Sequence, residues 1–319
     1  MCFSARVKQK FDQLSRHHGA DVDWEAFDDL FRRRADGEDV KVARALEFNY
    51  LHPTTVIQER TKSNIDKYNL AKTSVWETDI FAQRRRLGAA EESLTKKETK
   101  KAREDVRIAS KKIETLHSRL QDMRRVEETE SDSRIFPMMY APIILQDAGR
   151  TIIRPMRYAC RLAGKPANYD RLYPGTYNAR RDNLSGFWNR VYGRSHGVMV
   201  ISGFYENVPK HLYERRELKP GEDATNLVLA FNPRPAIEML VACVWDHWRG
   251  PDAGDLYSFA AVTDEPPEEI SATGHQRCVI SLREQNLAEW LSPNLVSRER
   301  LEAILEEKET PFYEHQIAA

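Results

Sequence analysis

The chain has 319 residues, with 49 basic and 49 acidic side chains and 41% apolar residues, enough for one large domain or two modest ones with a sizeable core. No apolar run reaches the length of a membrane span and the N-terminus lacks a long apolar stretch, which argues against a membrane protein and a secretory signal and points to the cytoplasm. Four scattered cysteines, Cys2, Cys160, Cys243 and Cys278, give neither a disulfide framework nor a zinc pattern, and nothing in the sequence calls for a metal or another cofactor.

In chain order, Ser4–Leu14 and Trp24–Arg33 have helical spacing. Gln58–Arg86 is free of Pro and Gly and carries Ile65, Leu70, Val75, Ile80 and Phe81. Ala102, Val106, Ala109, Ile113, Leu116, Leu120 and Met123 then follow a strict heptad stripe, with Gly88 near the expected break. The economical reading is an antiparallel helical hairpin projecting from a main body, with Glu127–Ser133 as its exit loop and Pro137 stopping further helix. After Phe136, short apolar runs broken by Gly, Pro and Asn read as strands: Ala141–Leu145, Gly197–Ser202, Thr225–Phe231, Met239–Trp245, Tyr257–Thr263 and Arg277–Ser281. Glu284–Leu291 and Ser297–Glu307 read as helices, the second capped by Ser297. The expected class is α+β, a mainly antiparallel sheet or barrel with flanking helices over residues 1–57 and 134–319, interrupted by a charged helical hairpin over 58–133.

Charge is unevenly spread. Arg84–Val126 holds 14 Lys/Arg against 7 Asp/Glu, and Ala141–Arg216 holds 13 against 5. A neutral total is therefore compatible with a polyanionic partner, because a ligand meets the local field. For the hairpin, a purely structural solvated arm and a surface for nucleic acid, a protein partner or self-association both stay open.

Cys2 follows Met1 directly, and its small side chain permits removal of that Met, which would leave an α-amine and a thiol on adjacent carbons. Their reference pKa values, about 7.7–8.0 and 8.5, give both a reactive fraction near neutrality. Such a 1,2-aminothiol condenses with an aldehyde to an imine and closes to a thiazolidine; it can also act as an N-terminal nucleophile in amide hydrolysis. Further on come Arg154-Pro155-Met156-Arg157-Tyr158, Tyr177-Asn178-Ala179-Arg180-Arg181-Asp182, Val200-Ile201-Ser202-Gly203-Phe204-Tyr205-Glu206 and Thr273-Gly274-His275-Gln276-Arg277-Cys278. In order and spacing, from Met1 to about Trp290, these segments resemble a divergent member of the SRAP family (SOS-response-associated peptidases), proteins that act on abasic sites in DNA. Phe3, Asn207, Tyr158, Asp182 and Cys278-Val279 depart from the residues usual in the family.

The resemblance implies that mature Cys2 attacks the aldehyde of an abasic site in single-stranded DNA to form a covalent thiazolidine crosslink, with strand incision as a side activity of the imine. It casts Asn178 as orienting the Cys2 amine, Glu206 as shuttling protons and His275 as assisting ring opening. Arg180, Arg157 and Arg277 are the implied phosphate contacts, with Thr263 and Asn49 near the DNA. Tyr158, Tyr177 and Trp188 are candidates for base stacking, though core packing explains them equally well. Cys160 and Cys243 read as buried small apolar residues, and Cys278 as a second reactive candidate. Two rival readings stay open: a Cys2-dependent peptidase, and a non-enzymatic coiled-coil interaction protein with a decayed site.

Overall fold

The computed structural model describes residues 4–250 and 254–318. The chain divides into two compact units, one of residues 1–30, 40–52 and 129–319 and the other of 31–39 and 53–128.

The first unit is built on a sheet of fourteen strands. They are β1 (Ser4–Val7), β2 (Asp21–Val22), β3 (Lys41–Val42), β4 (Arg134–Ile135), β5 (Met139–Asp147), β6 (Arg150–Tyr158), β7 (Asn178–Arg180), β8 (His196–Pro209), β9 (Asn226–Arg234), β10 (Met239–Arg249), β11 (Asp255–Asp264), β12 (Cys278–Val279), β13 (Ser281–Leu282) and β14 (Phe312–Ile317). Five of them close into a ring: β5 pairs with β6, β6 with β11, β11 with β10, β10 with β8, and β8 with β5. Four of these pairings are antiparallel and the β6–β11 seam is parallel. Across that seam the Tyr158 and Phe259 rings stack at 5.1 Å, an aromatic pair that packs in the core where the ladder is short. The architecture is α+β with a barrel core, as the sequence implies.

β8 is the organising strand. Val198–Ile201 is a continuous apolar run, the pattern of a strand covered on both faces, and its side chains are buried. Past the barrel rim β8 continues between β1 and β9. Gly203 is obligatory there, because a Cβ would lie 2.9 Å from the Phe231 carbonyl oxygen of β9.

One sequence expectation fails at the start of the chain. Ser4–Val7 is a strand, not the first turn of a helix; the helix α1 begins at Phe11 and ends at His18, where Gly19 takes a left-handed conformation. The core residues Ala5 and Val7 have period two, and the partner that holds them, Ile201–Tyr205, lies far away in sequence. Two more helices follow, α2 (Trp24–Ala35) and α3 (Arg44–Glu47). The C-terminal helix Arg298–Glu306 is capped by Ser297, whose hydroxyl accepts from the Arg300 amide at 3.2 Å.

In the second unit, α4 (Val56–Lys96) and α5 (Lys100–Arg124) form the hairpin. Gly88 does not break it. It lies inside α4, and the turn is Lys97–Thr99, where the Thr99 hydroxyl accepts from the Ala102 amide at 3.1 Å and starts α5. A glycine costs about 1 kcal/mol in a helix interior, little against a helix of 41 residues, whereas an N-cap threonine preceded by extended backbone fixes a boundary. Of the heptad stripe, Ala102, Ala109, Leu116 and Leu120 are buried, and Leu116 and Leu120 meet Ile80 and Trp76 of α4. Leu70, Val75 and Phe81 are exposed instead. No described helix is long and apolar enough to cross a membrane.

Candidate functional site

Asn178 and Thr263 are placed by neighbouring strands. β7 runs parallel to β11 with Asn178 opposite Ala261 and Arg180 opposite Thr263. Paired residues share a face and alternate residues return to it, so Asn178 and Thr263 stand on the same side of the sheet. Both are buried, Asn178 at 7% exposure and Thr263 at 1%. Neither polar atom of the Asn178 amide, nor the Thr263 hydroxyl, finds a hydrogen-bond partner among the described residues. Each such orphan costs about 1–3 kcal/mol, and a bound ligand relieves that cost by supplying the missing partner.

Glu206 is fully buried on β8, opposite Leu229 of β9. Its Oε2 lies 3.3 Å from Nε2 of His275. The preceding Gly274 has a left-handed φ of 91°, and a Cβ there would sit 2.7 Å from the Leu212 Cβ, so the turn that presents His275 requires glycine. A carboxylate within hydrogen-bond reach of an imidazole can pass a proton in either direction. Burial, followed by the charge of Glu206, pushes the Cys278 thiol up to about 12, which removes Cys278 as a second nucleophile. Cys160 and Cys243 are buried with raised thiols as well. Cys2 lies outside the described residues; Ser4 pairs with Tyr205, immediately before Glu206.

The arginines behave differently from a row of free phosphate contacts. Arg157 is buried and donates to Asp170 at 2.6 Å and to the Ala159 carbonyl at 3.2 Å. Arg161 uses the same carboxylate at 3.0 Å, so one Asp answers two guanidinium groups. Arg180 is exposed and paired with Asp182 through Nε at 2.9 Å, and the hydrogen bond from Arg180 holds that carboxyl below its usual range. Arg277 reaches Asp182 at 3.5 Å. Asn49 has another job altogether: its amide donates to the carbonyls of Gln9 and Leu46 and accepts from the Phe11 amide at 2.9 Å. It pins the chain after β1, and both N–H donors of its amide are engaged within the protein.

The aromatic expectations also shift. Tyr158 and Trp188 are buried in the core, and Tyr177 packs edge-on to Tyr158 at 5.5 Å. Beside Asn178 lies a cleft of about 400 Å³, lined by Tyr169, Tyr173, Thr176, Arg180 and Phe187. Tyr173 is 56% exposed and Phe187 38%. The sequence reading missed both; the i, i+4 pair Tyr169–Tyr173 ahead of Pro174-Gly175 was the available signal.

The sequence model of the SOS response associated peptidase (SRAP) family matches residues 102–318. The chain belongs to the SRAP family. The match covers Asn178, Glu206, Thr263 and His275 and begins after Cys2 and Asn49. This membership makes it a DNA-damage-associated SRAP protein. No curated protein matches the chain. Among solved structures, a protein from Bacteroides thetaiotaomicron aligns at 14% identity over 58% of this chain and 77% of its own, with a TM-score of 0.46. One from Bordetella bronchiseptica aligns at 13% over 59% and 87%, at 0.46. A phage-related protein from the same organism aligns at 15% over 58% and 80%, at 0.43.

Proposed function

We propose that this SRAP protein senses abasic sites in single-stranded DNA and joins itself to them through Cys2 after removal of Met1, with residues 1–57 and 134–319 as the catalytic domain. The observation that carries the reading is a buried amide, Asn178, with no partner among the described residues, together with the Glu206–His275 pair. Ser4 pairs with Tyr205, the residue before Glu206, which supports bringing the N-terminal residues to that carboxylate.

The chemistry balances without a cofactor. The Cys2 amine adds to the aldehyde carbon, and the carbinolamine loses water to give an imine. The thiol then adds to the imine carbon, and its proton passes to nitrogen as the thiazolidine closes. Glu206 and His275 take and return the protons, and Asn178 orients the amine by hydrogen bonds without adding charge. The same imine permits β-elimination, an incision side activity. Arg180 and Arg277 meet phosphates by exchanging Asp182 for them; Arg157 does so only by leaving Asp170.

The test is intact mass before and after incubation with an oligonucleotide bearing one abasic site. The expected result is a chain lacking Met1 and an adduct of protein plus DNA minus one water, absent in Cys2→Ala. Retention of Met1, or no adduct from the mature chain, sinks the reading. Blocking the amine separates a peptidase, which needs only the thiol, from crosslinking, which needs both groups.

A further inference from the structure

The hairpin carries a feature that the crosslinking reading does not use. Between α4 and α5 lies a groove of about 620 Å³, with Asp79 on one wall and Arg107, Lys111, Lys112 and Arg119 on the other, above Leu116. Several cations of the hairpin are answered by an acid: Lys62 by Asp66, Arg86 by Asp105, Lys96 by Glu92, Arg103 by Glu98, Arg107 by Glu104 and Arg124 by Glu77. Lys111, Lys112 and Arg119 have no acid within 4 Å among the described residues. Arg84, Arg85, Lys97, Lys100 and Lys101 also have no acid within 4 Å among the described residues, but the groove gathers three unanswered cations on one wall.

We infer that this groove binds the sugar–phosphate backbone of nucleic acid, independently of any abasic site. From Arg107 to Arg119 the groove wall runs about 18 Å along α5, the length of roughly five nucleotides of a stacked strand. A phosphate chain asks for spaced cations and little else, which is what the wall provides. An amphipathic helix of a protein partner would need apolar anchors at i, i+3 and i+7; here the lining offers only Ile108, half-buried, and Leu116, already committed to the hairpin core.

The experiment uses the full chain carrying Cys2→Ala, so that covalent capture contributes nothing, and titrates it with undamaged single-stranded and duplex oligonucleotides over a range of salt. Against this background, Lys111→Gln/Lys112→Gln/Arg119→Gln should lower the slope of log affinity against log salt by about 2 on single strands and by more on duplex, and weaken binding at least roughly tenfold. Lys62→Gln/Lys96→Gln/Arg103→Gln removes the same net charge from cations that are already paired, and should change the slope by less than half as much. Equal effects of the two triple variants, or no change in slope, overturn the inference. Polyglutamate of matched charge binding as tightly as the oligonucleotide through the same three residues overturns it too, in favour of an acidic protein segment. Helical content measured on both variants confirms that the hairpin is folded. Because the DNA is undamaged, failure here leaves the crosslinking test untouched.

Discussion

Two stretches of this chain look alike in composition and fold to opposite electrostatic ends. Arg84–Val126 and Ala141–Arg216 carry similar excesses of basic residues. In the barrel, Arg154 is held by Asp23 and Asp147, Arg157 and Arg161 by Asp170, and Arg181 by Asp264 and Glu306. In the hairpin, three cations of one groove wall, Lys111, Lys112 and Arg119, are left without an acid among the described residues. A charge count along the sequence measures the total; the field that a polyanion meets depends on which charges the fold has already answered. The barrel site therefore offers buried polar groups without partners among the described residues, and the hairpin groove offers exposed charge.

The sharpest way to break this contrast is to remove the proposed proton shuttle. Glu206→Gln should slow adduct formation by a hundredfold or more, within the roughly 10²–10⁴ range of general acid–base groups, while leaving the salt slope for undamaged DNA as it was. A crosslinking rate close to that of the parent chain would detach Glu206 from the chemistry. Next comes the buried ion triad. Asp170→Ala leaves Arg157 and Arg161 with no carboxylate and should destabilise the barrel by about 3–5 kcal/mol in urea titration. Glu104→Ala, which unpairs the exposed Arg107, should leave stability essentially unchanged. Similar effects at the two sites would mean that the barrel pairs are no more buried in function than those of the hairpin.

A smaller effect is expected from His196. Its Nε2 accepts from the Gly193 amide at 2.9 Å, so its Nδ1 donates to the Trp290 carbonyl at 3.0 Å, and the ring is neutral. Burial lowers its pKa from 6.5 to about 3. The unfolded chain takes up a proton below 6.5 and the folded chain only near 3, so this contribution is complete above 6.5 and is lost as pH falls through that window, by up to about 1.4 kcal/mol per pH unit. His196→Gln should flatten the dependence between pH 6.5 and 4.5 in urea titrations followed by tryptophan fluorescence.

Where the chain is regular and its contacts local, the sequence was informative: the heptad from Ala102 to Met123 marks the buried face of α5, and the strand β8 announces itself by its apolar run. Ser4–Val7 was misread because four residues hold too little periodicity and their partner is β8. The turn after Lys96 was misplaced because glycine is conspicuous and an N-cap threonine is not. At the candidate site, Glu206 and His275 could be named from motif order, but their 3.3 Å approach joins segments far apart in sequence. The capture of Arg157 by Asp170 and the use of Asn49 as a backbone brace are tertiary facts. No local pattern distinguishes a braced asparagine or a paired arginine from a free one.

The register of β1 bears on the order of assembly. Ser4 meets Tyr205, a contact spanning most of the chain, whereas α4 and α5 are neighbours in sequence and can join as soon as both are helical. Local pairs form quickly, and distant ones wait for the loops between them to close. The strand β1, whose Ser4 pairs with the residue before Glu206, is thus expected to dock late, so that the proposed reactive amine and thiol would meet the proposed proton shuttle only in a chain that has otherwise finished folding.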